Sequence, residues 1–262
     1  MAKLAAVGDN CMDVYENIGK SYPGGNPVNV AVYFTRMGGQ ASYTGAVGTD
    51  KYGALMADAI KQKGVDTSYI KFLPGNTAIT HVELIDGERV FGDYEEGVLA
   101  DMVLDASDID FLCSHEMVVT GLWGNVHNNL AEIHSRGVPV AFDAATRPDD
   151  PVVDIAISGV DYLFFASDDG DTPALRDCMQ KLHARGPMLV ICTLGEKGSI
   201  AYDGKIFTVG GIVPCTVVDT MGAGDSYIAG FLYGILQQKP LPECMHMGAA
   251  NSSVTLGYNG AW

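Results

Sequence analysis

The chain has 262 residues, 47% apolar and 18% charged, which allows a large core and argues against wholesale disorder. Acidic residues outnumber basic ones 32 to 16, and a formal charge of −16 lacks the basic face that a nucleic acid or an anionic membrane wants. Six scattered cysteines without a C-x-x-C pair, an opening MAKLAAVGD too short for a signal peptide, and no apolar run of ~18 residues lead to the expectation of a reducing, cytoplasmic setting.

In chain order, Leu4–Val7 reads as a first strand ending at Gly8-Asp9. Asn26–Met37 reads as a helix stopped by Gly38-Gly39, Ser42–Val47 as a strand, and Lys51–Lys63 as a helix stopped by Gly64. From about Tyr69 to Glu95 the pattern changes to short β-like runs, Ile79–Ile85 and Arg89–Tyr94, around the turn Asp86-Gly87-Glu88. With Val14–Gly19 these predict a small antiparallel sheet standing apart, built from about residues 11–20 and 69–98. Alternation then resumes. Met117–Thr120, Val138–Phe142, Tyr162–Phe165 and Met188–Thr193 are buried-strand candidates, with helices over Val126–Ser135 and Thr172–Ala184. A second hairpin is expected at Asp203-Gly204, a strand over Cys215–Val218, and two closing helices over Ala223–Leu236 and Leu241–Leu256. The whole predicts one α/β domain over residues 1–262 with a mostly parallel sheet.

The most informative stretch is Asp219-Thr-Met-Gly-Ala-Gly-Asp225. Gly222, Ala223 and Gly224 leave backbone N–H groups open at a helix start, where orphan donors and the helix dipole favour an anion such as a transferring phosphoryl group. Asp225 beside them is placed to accept a proton from an attacking hydroxyl, or else is only a first-turn acid favoured by the dipole.

The string D-T-x-G-A-G-D matches the signature of the ribokinase-like (PfkB-type) sugar kinases, and the resemblance covers essentially the whole chain. Gly24-Gly25-Asn26 with Asn29 resembles that family's sugar-contacting G-G-x-x-x-N segment. Asp9, after the first strand and close to Asp13, sits where the family places a sugar-binding aspartate. Gly45–Gly53 resembles its V-G-x-D-x-x-G turn, and Thr193-Leu-Gly195-Glu-Lys-Gly198 its nucleotide-binding turn. The resemblance implies a ribokinase-like fold: a Rossmann-like sheet flanked by helices, with a small β lid. It also implies transfer of the ATP γ-phosphoryl group to a sugar, with Mg²⁺. By that analogy Asp225 is the base and Gly222–Gly224 the anion hole, while Asp219 and Thr220 lie beside the phosphate path.

Within the family, G-D-N-C-x-D, the Arg89–Val98 stretch and Gly260-Ala-Trp262 are similar to the subgroup that phosphorylates fructose carried on a lysine amine. Arg89 and Tyr94 are then lid contacts to a glycated amino acid, or ordinary solvent-facing lid residues. Asn26 and Asn29 either cap the helix or face the sugar.

Two motifs depart from the family's pattern. Ala166-Ser-Asp168-Asp169 stands where the family carries N-x-x-E, so Asp168 or Asp169 reaches Mg²⁺ through water or is only an exposed acidic loop. Asp143-Ala-Ala145-Thr-Arg147 keeps the ends of D-x-N-x-R and loses its asparagine. The nearest alternative is the same kinase chemistry on another sugar, a related fructosamine or a nucleoside; a dehydrogenase is disfavoured, because Gly8-Asp9-Asn10 supplies no G-x-G-x-x-G, and a catalytically inactive sugar sensor is the alternative of another class. The strand edges of a lid give a motive for a homodimer.

Overall fold

The computed structural model describes residues 2–85 and 88–262. The expected Asp86-Gly87 turn falls outside them. The elements in chain order begin with strands β1 (Lys3–Val7), β2 (Cys11–Tyr15) and β3 (Lys20–Gly24), helix α1 (Asn26–Arg36), strand β4 (Gln40–Gly48) and helix α2 (Lys51–Gln62). Strands β5 (Asp66–Leu73), β6 (Ile79–Ile85) and β7 (Glu88–Glu95) follow, then helix α3 (Ala106–Leu112), β8 (Met117–Gly121), α4 (Leu130–Ser135), β9 (Val140–Asp143) and α5 (Pro151–Ala156). The chain continues through β10 (Tyr162–Ala166), α6 (Pro173–His183), β11 (Leu189–Thr193), β12 (Ser199–Tyr202), β13 (Phe207–Gly210), α7 (Ala223–Leu236) and α8 (Leu241–Thr255).

One sheet has nine strands in the order β13-β12-β11-β10-β9-β8-β1-β4-β5. Seven of them, from β11 to β5, pair in parallel; β12 and β13 add an antiparallel edge. Successive side chains of a strand point to opposite faces. Leu4 and Ala6 accordingly enter one apolar layer with Val28, Phe34, Phe231 and Met245, and Ala5 and Val7 enter the other with Leu112, Leu130, Val153 and Met179. Burial on both faces is why these strands read as continuous apolar runs.

A second sheet has the order β3-β2-β6-β7. Its outer pairs are antiparallel, but β2 and β6 pair in parallel. Its composition corrects the sequence reading twice. Asp66–Leu73 pairs with β4 and is the edge of the large sheet rather than part of the lid, because its alternating pattern suits an edge strand as well as a hairpin. Lys20–Gly24 joins the small sheet through β2. The expected strand Cys215–Val218 does not form: the segment is exposed and irregular, with Val217 and Val218 more than half exposed. Helices α3 and α5 were not read from the sequence, although Asp105 and Asp108 form a reciprocal capping box on α3 and Asp150-Pro151 opens α5. The helix expected over Val126–Ser135 is a 3-10 turn, His127–Asn129, followed by the short α4.

The sheet divides between β1 and β8. From β1 the chain adds strands outward on one side, β4 then β5, and from β8 outward on the other. Open α/β sheets bind ligands outside the carboxyl ends of the strands at such a switch point. Helix α7 is held over that point by α8. A Cβ on Gly230 would lie 2.5 Å from Met247 O and 2.9 Å from Gly248 Cα, so only glycine permits this approach. Gly230→Ala is expected to cost about 1–3 kcal/mol as the helices are forced apart, read as a lowered urea midpoint with an unchanged m-value.

Candidate active site

Asp9 follows β1, Asp143 ends β9, and Asp225 lies in the first turn of α7. Residues 9, 143 and 225 are brought together by the two asparagines of α1. Asn26 is the first residue of α1, after Gly25 whose carbonyl accepts from Asn29 N at 2.9 Å. Asn26 N donates to Asp9 Oδ2 at 3.2 Å, and its Nδ2 donates to Asp143 Oδ2 at 2.7 Å and to Asp225 Oδ1 at 2.6 Å. One turn along the same face, Asn29 Nδ2 donates to Asp225 Oδ2 at 2.7 Å. Both carboxylate oxygens of Asp225 are therefore held by amides. Neither asparagine side chain caps α1; both face the acids.

Three carboxyl groups crowd together and accept from side-chain and backbone amides. Burial raises all three. Asp225 is pushed up to about 7, chiefly by desolvation and then by the charge of Asp143, against the opposing hydrogen bonds of Asn29 and Asn26. Desolvation also pushes Asp9 and Asp143 up to about 6. Asp9 Oδ1 and Asn26 Oδ1 are buried without a partner, which costs free energy that a ligand hydroxyl would recover at Asp9.

The turn before α7 is shaped around Gly222, which adopts φ 71°. A side chain there would be strained, and its Cβ would fall 2.2 Å from Tyr33 Oη. Ala223 N donates to Thr220 O at 3.3 Å, so of the three expected anion-hole residues Ala223 is already engaged. Gly224 is exposed, and a Cβ on it would meet nothing within 4 Å. Its amide, with that of Asp225, opens the helix where no intrahelical acceptor exists. Asp219 is committed locally: Oδ1 accepts from Met221 N at 3.0 Å and Oδ2 from Gly260 N at 2.7 Å. Its carboxylate thus builds the turn, while Thr220 is exposed beside it.

The remaining expected residues line the same edge of the sheet. Thr193 ends β11, and the 3-10 turn Gly195–Lys197 with Gly198 folds back so that Leu194 N donates to Gly198 O at 2.8 Å. Neighbouring strands are about 4.8 Å apart, so the four steps from β1 to β11 span roughly 19 Å. Asp168 and Asp169 follow β10 between these ends and are exposed; the Asp168 carbonyl accepts from Lys197 Nζ at 3.0 Å. Among the described residues no three His, Cys, Asp or Glu side chains form a metal cluster. Two adjacent exposed carboxylates suit a largely hydrated Mg²⁺ that takes its other ligands from phosphate, and do not suit a cage made by the protein alone.

On the lid, Tyr94 lies opposite Thr80, whose hydroxyl is 2.9 Å from Cys11 Sγ. Burial, and then the nearby Cys11 and Asp9, hold the Tyr94 hydroxyl above its ordinary range. Asp13 pairs in register with Thr80 and Tyr22. Arg89 lies on β7, and its side chain is outside the described residues. A cavity of about 660 Å³ between Lys3, Lys61, Asp66 and His115 lies at the amino ends of the strands, away from these groups.

Sequence reasoning did not place Asp143 in the site, although the incomplete D-x-N-x-R stretch kept it in view, and did not place Trp262 there at all. Trp262 Nε1 donates to Asn29 Oδ1 at 2.7 Å. The site also bears on stability. The fold holds a proton on Asp225 that the unfolded chain, near 3.8, has released. Stability from this group is therefore full below about pH 3.8 and is lost as pH rises toward 7. Asp225→Ala leaves the Asn26 and Asn29 amides unpaired at every pH, so the expectation concerns the difference: its Tm relative to the parent is higher at pH 8 than at pH 4 by roughly 2–4 °C, which thermal scans at the two pH values measure directly.

Comparison with known proteins agrees with this architecture. A fructoselysine 6-kinase of Shigella flexneri is 44% identical over 262 residues, covering 100% of each chain. A fructosamine kinase of Bacillus subtilis is 31% identical over 264 residues, covering 99% of this chain and 93% of the relative. The fold superimposes on an Arabidopsis thaliana ribokinase complexed with ribose and ATP with a TM-score of 0.89 at 24% identity, over 99% of this chain and 94% of that one. The profile of the pfkB family carbohydrate kinases matches residues 1–262, and the chain belongs to that family.

Proposed function

We propose that this carbohydrate kinase uses ATP to phosphorylate fructoselysine, fructose carried on the ε-amine of lysine, at the sugar's 6-hydroxyl. The observation that carries the chemistry is the doubly held carboxylate of Asp225 beside the open first turn of α7. Full-length identity of 44% to a fructoselysine 6-kinase supports the choice of substrate.

The sugar lies against Asp9 and Asn26 under the lid, with Asp13, Gly25, Tyr94 and Arg89 around it. Asp225 accepts the proton of the attacking hydroxyl as oxygen attacks the γ-phosphorus in line with the departing ADP oxygen. The amides of Gly224 and Asp225 face the charge on the transferring group. Thr193, Gly195 and Gly198 line the nucleotide side, and Thr220 and Gly222 the phosphate path. Mg²⁺, when bound near Asp168 and Asp169, offsets phosphate charge. The exposed Val217 and Val218, next to this turn, offer an apolar wall to a nucleobase. Strands β3 and β7 are the edges of the lid sheet and the place where a second copy would pair. Among the described residues no helix is long and apolar enough to cross a membrane, in keeping with a proposed cytoplasmic enzyme.

The test is ADP release with Mg·ATP against fructoselysine, other fructosamines, fructose, ribose and nucleosides. Turnover confined to fructoselysine is expected; preference for another sugar overturns the substrate, and no turnover with retained sugar binding favours a sensor. Asp225→Asn is expected to lower kcat by about 10²–10⁴-fold with sugar affinity largely kept. A variant with kcat near that of the parent rejects the base.

A further inference from the structure

The segment Gly260–Trp262 runs across the site and is tied to it at each residue. Gly260 N reaches Asp219, Ala261 O accepts from the hydroxyls of Tyr33 and Tyr258, and Trp262 Nε1 reaches Asn29. Lys63 Nζ lies 5.5 Å from the centre of the Trp262 ring, close enough for a cation–π contact.

The direction of the Trp262–Asn29 bond is set by chemistry. An indole N–H donates and never accepts. Asn29 must turn its carbonyl oxygen to Trp262, and its amide NH₂ is thereby turned to Asp225 Oδ2. Rotating the amide by half a turn would bring two donors face to face at Trp262. Asn29 is thus locked as a donor toward Asp225 whatever the protonation of that carboxyl group. A donor favours the carboxylate, whereas an acceptor in its place favours the protonated acid.

We propose that Trp262 is a positioning residue for phosphoryl transfer: by locking the Asn29 amide as a donor, it favours the ionised form of Asp225 and fixes its orientation. This rests on the reading of Asp225 as the base. The groups facing Asp225 are Asp143 and Asp9 from the ends of β9 and β1, and Asn26, Asn29 and Tyr33 from α1. Of these, only Asn29 bonds the indole, so changing the indole acts on Asp225 through that amide alone. The Tyr33 hydroxyl, raised by burial and by the charge of Asp225, stays protonated across the working range. Asn26 has no comparable lock, since its Oδ1 takes no partner, so the orienting task falls on the Asn29 side.

The experiment is the pH profile of kcat for Trp262→Phe, which keeps a ring and removes the N–H, on whichever sugar of the panel turns over. The acidic limb is expected to move up by about one pH unit. kcat then falls up to about tenfold below the limb and stays within about twofold of the parent above it. A purely structural role for Trp262 predicts the same loss at every pH; that result, or an unmoved limb, overturns the proposal. The parent enzyme supplies a second reading that needs no variant of Trp262. It has two tryptophans, Trp123 and Trp262, and one indole N–H resonance is expected to titrate with the kinetic limb and to stop doing so in Asp225→Asn. If neither resonance titrates, the coupling is absent and the proposal fails. Retained kcat in Asp225→Asn removes the base itself; an inactive Asp225→Asn with an unmoved limb in Trp262→Phe removes only the role of Trp262.

Discussion

Three carboxyl groups held together by two asparagine amides are the constraint around which the structure is arranged. Like charges gathered in one partly buried site cannot all ionise at neutral pH without cost. The donors there are neutral amides: Asn26 bridges Asp143 and Asp225, and Asn29 takes the second oxygen of Asp225. A lysine would pull the carboxyl groups down and leave a weak base. Amides orient the acids while offsetting only part of the burial, and Asp225 settles near neutrality, where a general base combines availability with proton affinity.

That arrangement works only if α1 and α7 keep a fixed register, and Arg36 sets it. Its Nη2 donates to Ser226 Oγ on α7 and to Asn251 Oδ1 and Thr255 Oγ1 on α8, while Nη1 reaches Tyr258. Ser226 follows Asp225 directly. Thr255 Oγ1 donates in turn to Ser226 Oγ at 2.8 Å, and Asn251 Nδ2 to Ser226 O at 2.8 Å. One guanidinium at the far end of α1 therefore fixes the turn of α7 that carries Asp225, while Asn26 and Asn29 meet it from the near end. The planar fork of arginine suits this task because several donors leave it in a fixed geometry.

What the sequence made legible was local. The Asp219–Asp225 string marks a glycine turn opening a helix, and Asn26 with Asn29 falls at helical spacing after two glycines; both signals span under ten residues. The doubly covered strands were legible because apolar runs record burial on two faces. The illegible part was what lies between distant segments. Asn26 meets partners 117 and 199 residues away, and Trp262 meets Asn29 across 233; no periodicity records such pairs. Cys215–Val218 shows the opposite failure. Its apolar composition reads as a strand, yet a strand also needs a neighbour with free backbone groups, and among the described residues the segment's backbone bond is Val218 N to Leu256 O, just past α8. The parallel pairing of β2 with β6 was hidden for the same reason, since hairpin signals describe only adjacent strands.

The same distinction explains the two places where the chain departs from its family's pattern. Ala145 stands at an expected asparagine and adopts φ 51°, a conformation that asparagine tolerates better than alanine. Its amide donates to Asp143 Oδ1 at 2.9 Å, so the backbone supplies the hydrogen bond that turns the end of β9 toward Asn26. At Ala166 the asparagine of N-x-x-E is replaced where the chain leaves β10, and its amide donates to Ala145 O at 2.7 Å. Both substitutions remove a side chain and keep the backbone bonds joining the ends of β9 and β10. The geometry of the acid cluster is carried by those bonds and by α1, which is why it survives the loss of both asparagines. A net charge of −16 is compatible with the proposed binding of a polyanion: the donors that would face phosphate are backbone amides at the start of α7, which add positive potential without adding a side chain.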